Sequence, residues 1–330
     1  MYDALTPLFN RVTASDVSRL FKPETLGVAT PGPTVTETPR SGVTIVFDGY
    51  HVAHIHGLTR DDVTWGAGWV VAEQRGLLLQ QARYDSLVAA IGAPGLSALG
   101  LVSGLHQFTP TAQTETEVAK QTGALLAHGA KGRAVLHDID VYLAGLNAYF
   151  SAHGGNPKPF TRTDIYALNA LKGQFVGQGG GDEAVRSEFL SALRRKFGTV
   201  KGTKVWKDLR EANDPEAPVS VPGRVSFGPT PRSTSGNVNL DPGSLDTQAA
   251  QAAAVARAAS THASNALLVS GARSATHHPI MVAGPQIGYF YPGLTLEVDE
   301  QGPGISQRGV TSPPFPGYIF IGRSQDSGWS

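Results

Sequence analysis

The spacing of apolar residues divides the chain into extended and helical parts. Val43–Phe47 is a short run of β-branched and aromatic residues, which predicts a strand. Thr59 and Asp62 have the spacing of a capping box, so a helix is expected to begin directly after Thr59. Small and apolar residues then recur at helical spacing, at Val63, Gly66, Ala67, Val70, Val71, Leu77 and Leu78.

Two further stretches, 113–152 and 162–200, keep the period of amphipathic helices. In the first of them the period is carried by Val135, Ile139, Val141, Tyr142, Leu146 and Tyr149. Residues 28–42 are rich in Pro, Thr and Gly and are predicted to be irregular. The chain before residue 213 is therefore predicted to be mostly helical, without an internal repeat.

Residues 213–262 contain little apolar bulk. Asn213–Pro218 and Pro229–Asn237 are turn-forming, and Gln248–Ala259 is an alanine-rich segment of helical character. Such a stretch buries too little surface to belong to a core, and its composition suits a removable spacer.

After the spacer the pattern becomes extended. Ala266–Ser270 is predicted to be a buried strand, and Pro279–Ala283 a second strand that pairs with it through a turn at Arg273–His278. The change from helix-rich to strand-rich sequence falls at Ser264, which is expected to occupy the first position of a central sheet strand.

The composition narrows the class of protein. The 330 residues are 41% hydrophobic and 16% charged, with a formal net charge of zero and a pI near 7.2, as in a soluble globular protein. Without a basic excess, neither nucleic acid nor an anionic membrane is expected as a partner. The absence of cysteine excludes disulfides and Cys-ligated zinc. No apolar run reaches the roughly 20 residues of a membrane span, and no signal peptide is visible.

Three other motifs carry histidine or glycine in patterns that resemble binding sites. His51, His54 and His56 form a histidine cluster, but no further ligand follows at a recognised metal-binding spacing, so metal binding is not favoured. Gly177–Gly181 lacks the Lys-Ser/Thr of a phosphate-binding loop and is interpreted as an ordinary loop. His277 and its neighbour His278 are expected in an exposed hairpin turn.

Ordered sequence blocks on both sides of Ser264 carry a family resemblance. The downstream blocks are Pro279–Tyr289, Glu300–Gly304, Pro316–Gly322 and Gly328–Ser330. The upstream blocks are Phe47–Ile55 and Trp65–Arg75. Together they resemble the penicillin acylase family over roughly residues 40–330, and they depart from its commonest pattern at Ala53, where a proline is usual. The upstream blocks are similar to the opening of the family's α chain, and the downstream blocks to that of its catalytic β chain.

The resemblance implies an α+β fold of the N-terminal-nucleophile (Ntn) hydrolases, an αββα four-layer sandwich that is incomplete here. A mostly helical α chain is expected ahead of the strand-rich start of a β chain. The expected segments are an irregular lead-in at 1–42, the mostly helical α chain at 43–220, an excised spacer at 221–263 and the start of the β chain at 264–330. Because family members continue for several hundred further residues, the chain is expected to be a C-terminally truncated fragment.

The resemblance also makes Ser264 the nucleophile, released as a new N-terminus by self-cleavage at Ala263–Ser264. A free α-amine has a pKa of about 7.7–8.0, against about 10.4 for lysine, so Ser264 would supply both nucleophile and base. Asn265 is expected to help hold the strained peptide, and Gln286 to orient the substrate amide. The oxyanion donors are expected beyond Ser330, so residues 1–330 alone are expected to be inactive.

Further roles carried over from the family compete with structural readings. Glu183 aligns with a calcium ligand of the α chain, but it is equally an acid at a helix start, where the helix dipole favours one. The acyl pocket is expected to be lined by Leu171, Phe175, Ile287 and Phe320. Packing in the core explains each of these four residues at least as well.

The resemblance implies an amidohydrolase with small-molecule N-acyl substrates, such as β-lactams, acyl-homoserine lactones or N-acyl amino acids. The α and β chains of one precursor are expected to form a heterodimer in the periplasm or outside the cell. A structural Ca²⁺ is expected, and no organic cofactor, nucleic acid or membrane partner. The alternative is a non-catalytic relative that keeps the fold as a binding or structural protein.

Overall fold

The computed structural model describes the chain in several ranges. These are residues 7–8, 10–23, 25–28, 32, 34–92, 98–105, 108–154, 158–176, 182–209, 263–286 and 293–330. Within them, the side chains of residues 175–176, 182–188, 263–265 and 285–286 lie outside the description. The chain divides into two units, one formed by residues 1–176 and 262–330 and the other by residues 177–261.

The first unit contains a seven-stranded sheet and a separate two-stranded sheet. The strands are β1 (Val35–Arg40), β2 (Val43–Phe47), β3 (Ala53–Gly57), β4 (Ala263–Val269), β5 (Ile280–Gln286), β6 (Leu296–Gly302), β7 (Ile305–Thr311), β8 (Ile321–Ser324) and β9 (Gly328–Trp329). The large sheet has the order β1-β2-β3-β6-β7-β8-β9, and among the described strands β4 pairs only with β5. Neighbouring strands run antiparallel except for β3 and β6, which run parallel. Strands from the two ends of the chain thus meet at the centre of one sheet.

Seven helices belong to the described part of the same unit. They are α1 (Ala14–Leu20), α2 (Arg60–Ala90), α3 (Ala98–Ser103), α4 (Ala112–Ala119), α5 (Gln121–Leu126), α6 (Gly129–His153) and α7 (Arg162–Val176). The predicted capping box at the start of α2 is confirmed. The Thr59 hydroxyl accepts a hydrogen bond from Asp62 N–H, and the Asp62 carboxylate accepts one from Thr59 N–H at 3.0 Å. The combination of helices and sheet confirms a mixed α+β fold.

Helix α2 is central to the core because it packs on the sheet and on α6. A Cβ at Gly66 would lie 2.6 Å from Ile55 Cγ2 of β3, so the helix approaches the sheet closely there. At the crossing with α6, a Cβ at Gly68 would lie 2.1 Å from Tyr142 O, and a Cβ at Gly145 would lie 1.9 Å from Trp65 O. These two glycines therefore let the helix backbones touch. The apolar period predicted for α6 is confirmed, since all six of its residues are in the core or packed against it.

Strand β1 corrects one sequence prediction. The lead-in at 1–42, including residues 28–42, is predicted to be irregular, but Ala14–Leu20 forms α1 and Val35–Arg40 pairs antiparallel with β2. The β-branched residues Val35, Thr36 and Thr38 favour a strand, and Pro39 is tolerated because β1 is an edge strand that has a partner on one side only. The predicted strand Val43–Phe47 coincides with β2 and is confirmed.

The hairpin of β4 and β5 corrects a second sequence prediction. The pairing was predicted correctly, but the burial was not, since Leu267 and Leu268 are 64% and 72% exposed and Val282 is 67% exposed. Successive residues of a strand point to opposite faces, so both faces of this ribbon are open. Ser264 lies at the second position of β4, outside the seven-stranded sheet, so its predicted place in a central strand is wrong.

The second unit contains helices α8 (Asp182–Phe197) and α9 (Thr199–Leu209), which pack against each other. Gly198, at a φ of 80°, makes the turn between them. The predicted loop Gly177–Gly181 and nearly all of the predicted spacer at 221–263 lie outside the described residues. The division into lead-in, α chain, spacer and β chain stays a prediction. None of the described helices is long and apolar enough to cross a bilayer.

Candidate active site

The bond predicted to be cleaved lies at the open end of the β4–β5 hairpin. In the antiparallel register Ala263 is opposite Gln286, Ser264 is opposite Pro285 and Asn265 is opposite Gly284. Residues directly opposite each other in such a ladder have Cα atoms about 4.5–5.5 Å apart. The backbone therefore brings Gln286 beside the Ala263–Ser264 bond, although these residues are far apart in sequence. The side chains of Ser264, Asn265 and Gln286 lie outside the description.

The turn between the strands sets this register. It begins with a short 3₁₀ segment, Gly271–Arg273, and the Ser274 N–H donates to Ser270 O at 3.1 Å. The Ser274 and Thr276 hydroxyls are 2.9 Å apart, and Ser274 is buried. His277 has a φ of 58°, and both it and the next residue are exposed, as predicted. From this turn the ladder runs without a bulge to Ala263, so the turn decides what faces the proposed cleavage bond.

Two of the four predicted acyl-pocket side chains are described. Leu171 on α7 is half-buried and packs against the core, whereas Phe320, before β8, is 52% exposed. Phe175 is in α7, but its side chain is not described, and Ile287 lies outside the described residues. Leu171 agrees equally with packing in the core. The pocket as a whole stays a prediction.

A chain of contacts leads from α7 towards Phe320. Lys172 Nζ donates to Ser312 O at 2.6 Å and lies 5.1 Å from the centre of the Phe315 ring. The Phe315 ring packs edge-on against Phe320, with centroids 6.1 Å apart. Burial lowers the pKa of Lys172 to about 7.

The histidine cluster is dispersed over different partners. His54 is buried, with Nδ1 2.8 Å from Asp299 Oδ2 and Nε2 3.1 Å from Asp48 Oδ2. His51 stacks on Phe47 and contacts Gln74, while His56 is exposed. Both nitrogens of His54 thus face carboxylate oxygens, which is the geometry of an imidazolium held by two acids.

The electrostatics of His54 agree with its geometry. Burial lowers the pKa of its imidazole, but the hydrogen bonds and charges of Asp299 and Asp48 outweigh burial, so the pKa is raised. Burial also raises the pKa of Asp48, but backbone N–H groups of Val52 and Tyr50, together with His54, lower it overall. Asp299 accepts further hydrogen bonds from Gly27 N–H and the Gln301 amide.

Glu300 is a second buried acid on β6. Burial raises the pKa of its carboxyl group to about 7, although a 2.6 Å hydrogen bond from the Gln307 amide opposes the increase. Nearby, Asp138 accepts hydrogen bonds from Arg60 at 2.8 Å and from the Tyr318 hydroxyl at 2.6 Å. Buried acids therefore lie both on the sheet, at Glu300 of β6, and on helix α6, at Asp138.

The predicted calcium ligand Glu183 lies in the first turn of α8, where the alternative interpretation places it as an acid at a helix start. Its side chain is not described. In the described part of the chain no group of three or more His, Cys, Asp or Glu side chains could hold a metal ion. Calcium takes about six to eight oxygen ligands, and one carboxylate supplies at most two. The residues described here do not by themselves make a calcium site.

Sequence reasoning missed Lys172 and Asp299. Each had one weak signal. Lys172 directly follows Leu171 in the stretch 162–200 that is predicted to be helical, and Asp299 directly precedes the block Glu300–Gly304. Neither signal names a partner.

Comparison with known proteins adds to this geometry. The profile of the penicillin amidase family matches residues 42–330. A similar curated protein is penicillin G acylase from Escherichia coli, 22% identical over 341 aligned positions that cover 87% of this chain and 38% of that protein. The chain thus spans well under half the length of this relative. A similar solved structure is the thermostable penicillin G acylase from Alcaligenes faecalis, 20% identical, with a TM-score of 0.35 over 59% of this chain and 100% of that one.

Proposed function

Because the chain belongs to the penicillin amidase family, we propose that it is part of a self-cleaving amidohydrolase whose nucleophile is Ser264. The observation that carries this proposal is the hairpin register, which sets Gln286 opposite Ala263 at the start of β4. The bond to be cut and the residue proposed to orient the substrate amide are thereby neighbours on one short ribbon.

The proposed maturation uses the Ser264 hydroxyl on its own peptide bond. The oxygen adds to the Ala263 carbonyl carbon, the C–N bond breaks and its nitrogen takes a proton, leaving an ester between Ala263 and Ser264. The shift also frees the Ser264 α-amine, and water then hydrolyses the ester to an Ala263 carboxylate and the restored Ser264 hydroxyl. Asn265 is proposed to hold the strained peptide during this step. The exposure of the neighbouring β4 residues agrees with access of water to this ribbon.

The proposed turnover reuses the same residue. A serine hydroxyl is a weak nucleophile unless a base takes its proton, and an α-amine with a pKa of about 7.7–8.0 is suited to do so near neutral pH. The Ser264 hydroxyl attacks the amide carbonyl of the substrate, and its proton passes through the α-amine to the amine part of the substrate, which leaves. Water then hydrolyses the acyl-enzyme, with the α-amine taking the proton of the water and returning it to the Ser264 oxygen. No catalytic histidine is needed.

The finer features of the family are proposals for this chain. They are an αββα four-layer Ntn-hydrolase fold, an α/β heterodimer made from one precursor, export to the periplasm or beyond, and a structural calcium ion with Glu183 among its ligands. The substrate is proposed to be an N-acyl compound, of which β-lactams, acyl-homoserine lactones and N-acyl amino acids are the candidates. Leu171, Phe175, Ile287 and Phe320 are proposed to line its acyl pocket.

The test is intact mass and N-terminal sequencing of the full-length gene product and its Ser264→Ala variant. The wild type is expected to yield a chain beginning Ser-Asn-Ala-Leu-Leu-Val, and the variant is expected to remain uncut. Ser270→Ala is the matched control, because this serine lies in the same hairpin and is expected to leave cleavage unchanged.

Hydrolysis is then measured on a panel of N-acyl anilides with the cleaved protein. A folded wild type that stays uncut would refute the proposed self-cleavage and favour a non-catalytic binding role. Cleavage without hydrolysis of any acyl compound would keep the maturation but remove the enzymatic assignment.

A further inference from the structure

Helix α7 is fastened to the loop between β7 and β8 by two side chains. Asn169 Nδ2 donates to Pro314 O at 3.1 Å, and Lys172 Nζ donates to Ser312 O at 2.6 Å. Residues three apart on a helix lie on the same face, so both donors reach the same short segment of the loop. We call Asn169 and Lys172 the loop clamp.

The clamped loop carries the aromatic residues that lead to Phe320. Lys172 Nζ lies 5.1 Å from the centre of the Phe315 ring, a cation–π distance. Phe315 in turn meets Phe320 edge-on, with interplanar angle 84°, and meets Tyr318 edge-on as well. Because the two rings are in contact, a change in the position of Phe315 is expected to change the position of Phe320.

In the described part of the chain no carboxylate forms an ion pair with Lys172, and burial is what lowers the pKa of its ammonium group. Moving a lysine away from water is costly unless its protons are bonded. Its bonds here are to the Ser312 carbonyl and the Phe315 ring face, both on the loop. The interaction of Lys172 is therefore directed at the loop and not at a counter-charge.

Leu171, adjacent to Lys172 on α7, and Phe320 are two proposed walls of the acyl pocket. We propose that Asn169 and Lys172 are positioning residues that set the separation of these walls and thereby select the length of the acyl group. This inference rests on the proposed function, because it assumes that the walls bind the acyl part of a substrate. The clamp itself is independent of that assumption.

The test uses the matured full-length protein with Lys172→Met, Asn169→Ala and Lys172→Arg. Methionine keeps the unbranched stem but removes the ammonium, and arginine keeps a cation. Lys131→Met on α6 is the control, because Lys131 is exposed. kcat/KM is measured for N-acyl anilides that share one amine and differ in acyl length.

Lys172→Met is expected to change the ratio of kcat/KM between the longest and shortest acyl groups by about tenfold, the effect of one misfitted methylene in an apolar pocket. The change is expected in KM more than in kcat, with partial rescue by Lys172→Arg and no change in Lys131→Met. Loss of the same factor for every acyl group would overturn the selectivity role, since that is the signature of a general structural defect.

Hydrogen exchange supplies a readout that does not need activity. The Phe320 N–H donates to Val310 O at 2.8 Å and reports on the end of the loop. Lys172→Met is expected to speed exchange across residues 312–320, while Lys131→Met leaves it unchanged. Equal protection in Lys172→Met and wild type would refute the clamp. Faster exchange in a protein without acylase activity would support the clamp while rejecting the proposed function.

Discussion

His54 and Asp299 face each other across the parallel strands β3 and β6, with His54 Nδ1 2.8 Å from Asp299 Oδ2. Along the chain, His54 comes before the proposed cleavage bond and Asp299 comes after it, 245 residues away. After cleavage they would belong to different chains, so this buried contact would become a link between them. The other ring nitrogen of His54, Nε2, contacts the carboxylate of Asp48, so the buried imidazole lies between two acids.

The contact predicts a stability that depends on pH and on His54. The raised pKa of the folded imidazole means that His54 contributes fully below its ordinary value of 6.5, and the contribution is lost as pH rises through the folded value. His54→Gln is expected to cost about 3–5 kcal/mol at the acidic end, where a buried partner is removed, and to flatten the alkaline decline. Urea denaturation between about pH 5 and about pH 9 measures both effects.

His56→Gln is the control for His54→Gln, since it changes an exposed histidine two residues along the same strand. The charged groups facing the site are Asp48, Asp299 and Arg308, which lies opposite Asp299 on β7 and bonds Glu297. The imidazolium assignment fails if His54→Gln and wild type show the same dependence on pH.

Glu300→Gln is expected to stabilise the protein at alkaline pH. The unfolded glutamate ionises near its ordinary pKa of 4.5, whereas the folded carboxyl group stays protonated up to a pKa of about 7. Folding stability therefore falls as pH rises across this interval, by about 3 kcal/mol in all. Glutamine cannot ionise and can still accept the hydrogen bond from Gln307.

The expected result is equal stability of Glu300→Gln and wild type near about pH 4, and greater stability of the variant near about pH 8. Glu117→Gln on α4 serves as the exposed control. A variant that is less stable than wild type at alkaline pH would mean that folding favours the ionised carboxylate of Glu300, so that its folded pKa is not raised.

Gly68→Ala and Gly145→Ala are each expected to destabilise the crossing of α2 and α6 by about 3 kcal/mol or more, because the new Cβ would overlap a backbone oxygen of the other helix. Gly173→Ala is the matched control in α7, where nothing lies within 4 Å of the added atom. That change is expected to stabilise by about 0.5–1 kcal/mol through helix propensity. Melting temperatures of the three variants decide whether close backbone contact, and not helix formation, requires glycine at the crossing.

Arg83→Met is expected to cost about 3–5 kcal/mol, because it leaves Asp164 buried without its partner. Arg83 donates to both Asp164 oxygens at 2.8 Å and also to the carbonyls of Lys158 and Pro159. Adding Asp164→Asn, which removes the charge but can still accept from Thr161, is expected to restore part of the loss in urea denaturation.

The exposed pair of Arg162 and Asp140 provides the comparison for Arg83 and Asp164. Arg162→Met is expected to cost less than about 1 kcal/mol, since water screens a surface ion pair. Similar costs for the two arginine variants would show that burial does not decide the strength of these pairs.

The sequence by itself determined the local structure and the family. The capping box of Thr59 and Asp62, strand β2, the apolar period of α6 and the pairing of β4 with β5 depend on side chains near each other in the chain, so spacing was enough. It failed for β1, where Pro and Thr composition hid an edge strand, and for the burial of β4.

Tertiary structure alone decided which distant groups meet. The parallel pairing of β3 and β6 puts Asp299 beside His54, and the packing of the β7–β8 loop on α7 gives Lys172 a carbonyl 140 residues away. Burial then follows from which layers cover which faces, and with it the raised pKa of Glu300 and the lowered pKa of Lys172. Periodicity shows only which face of an element is apolar and which is polar. It contains no information on which other element will pack against that face.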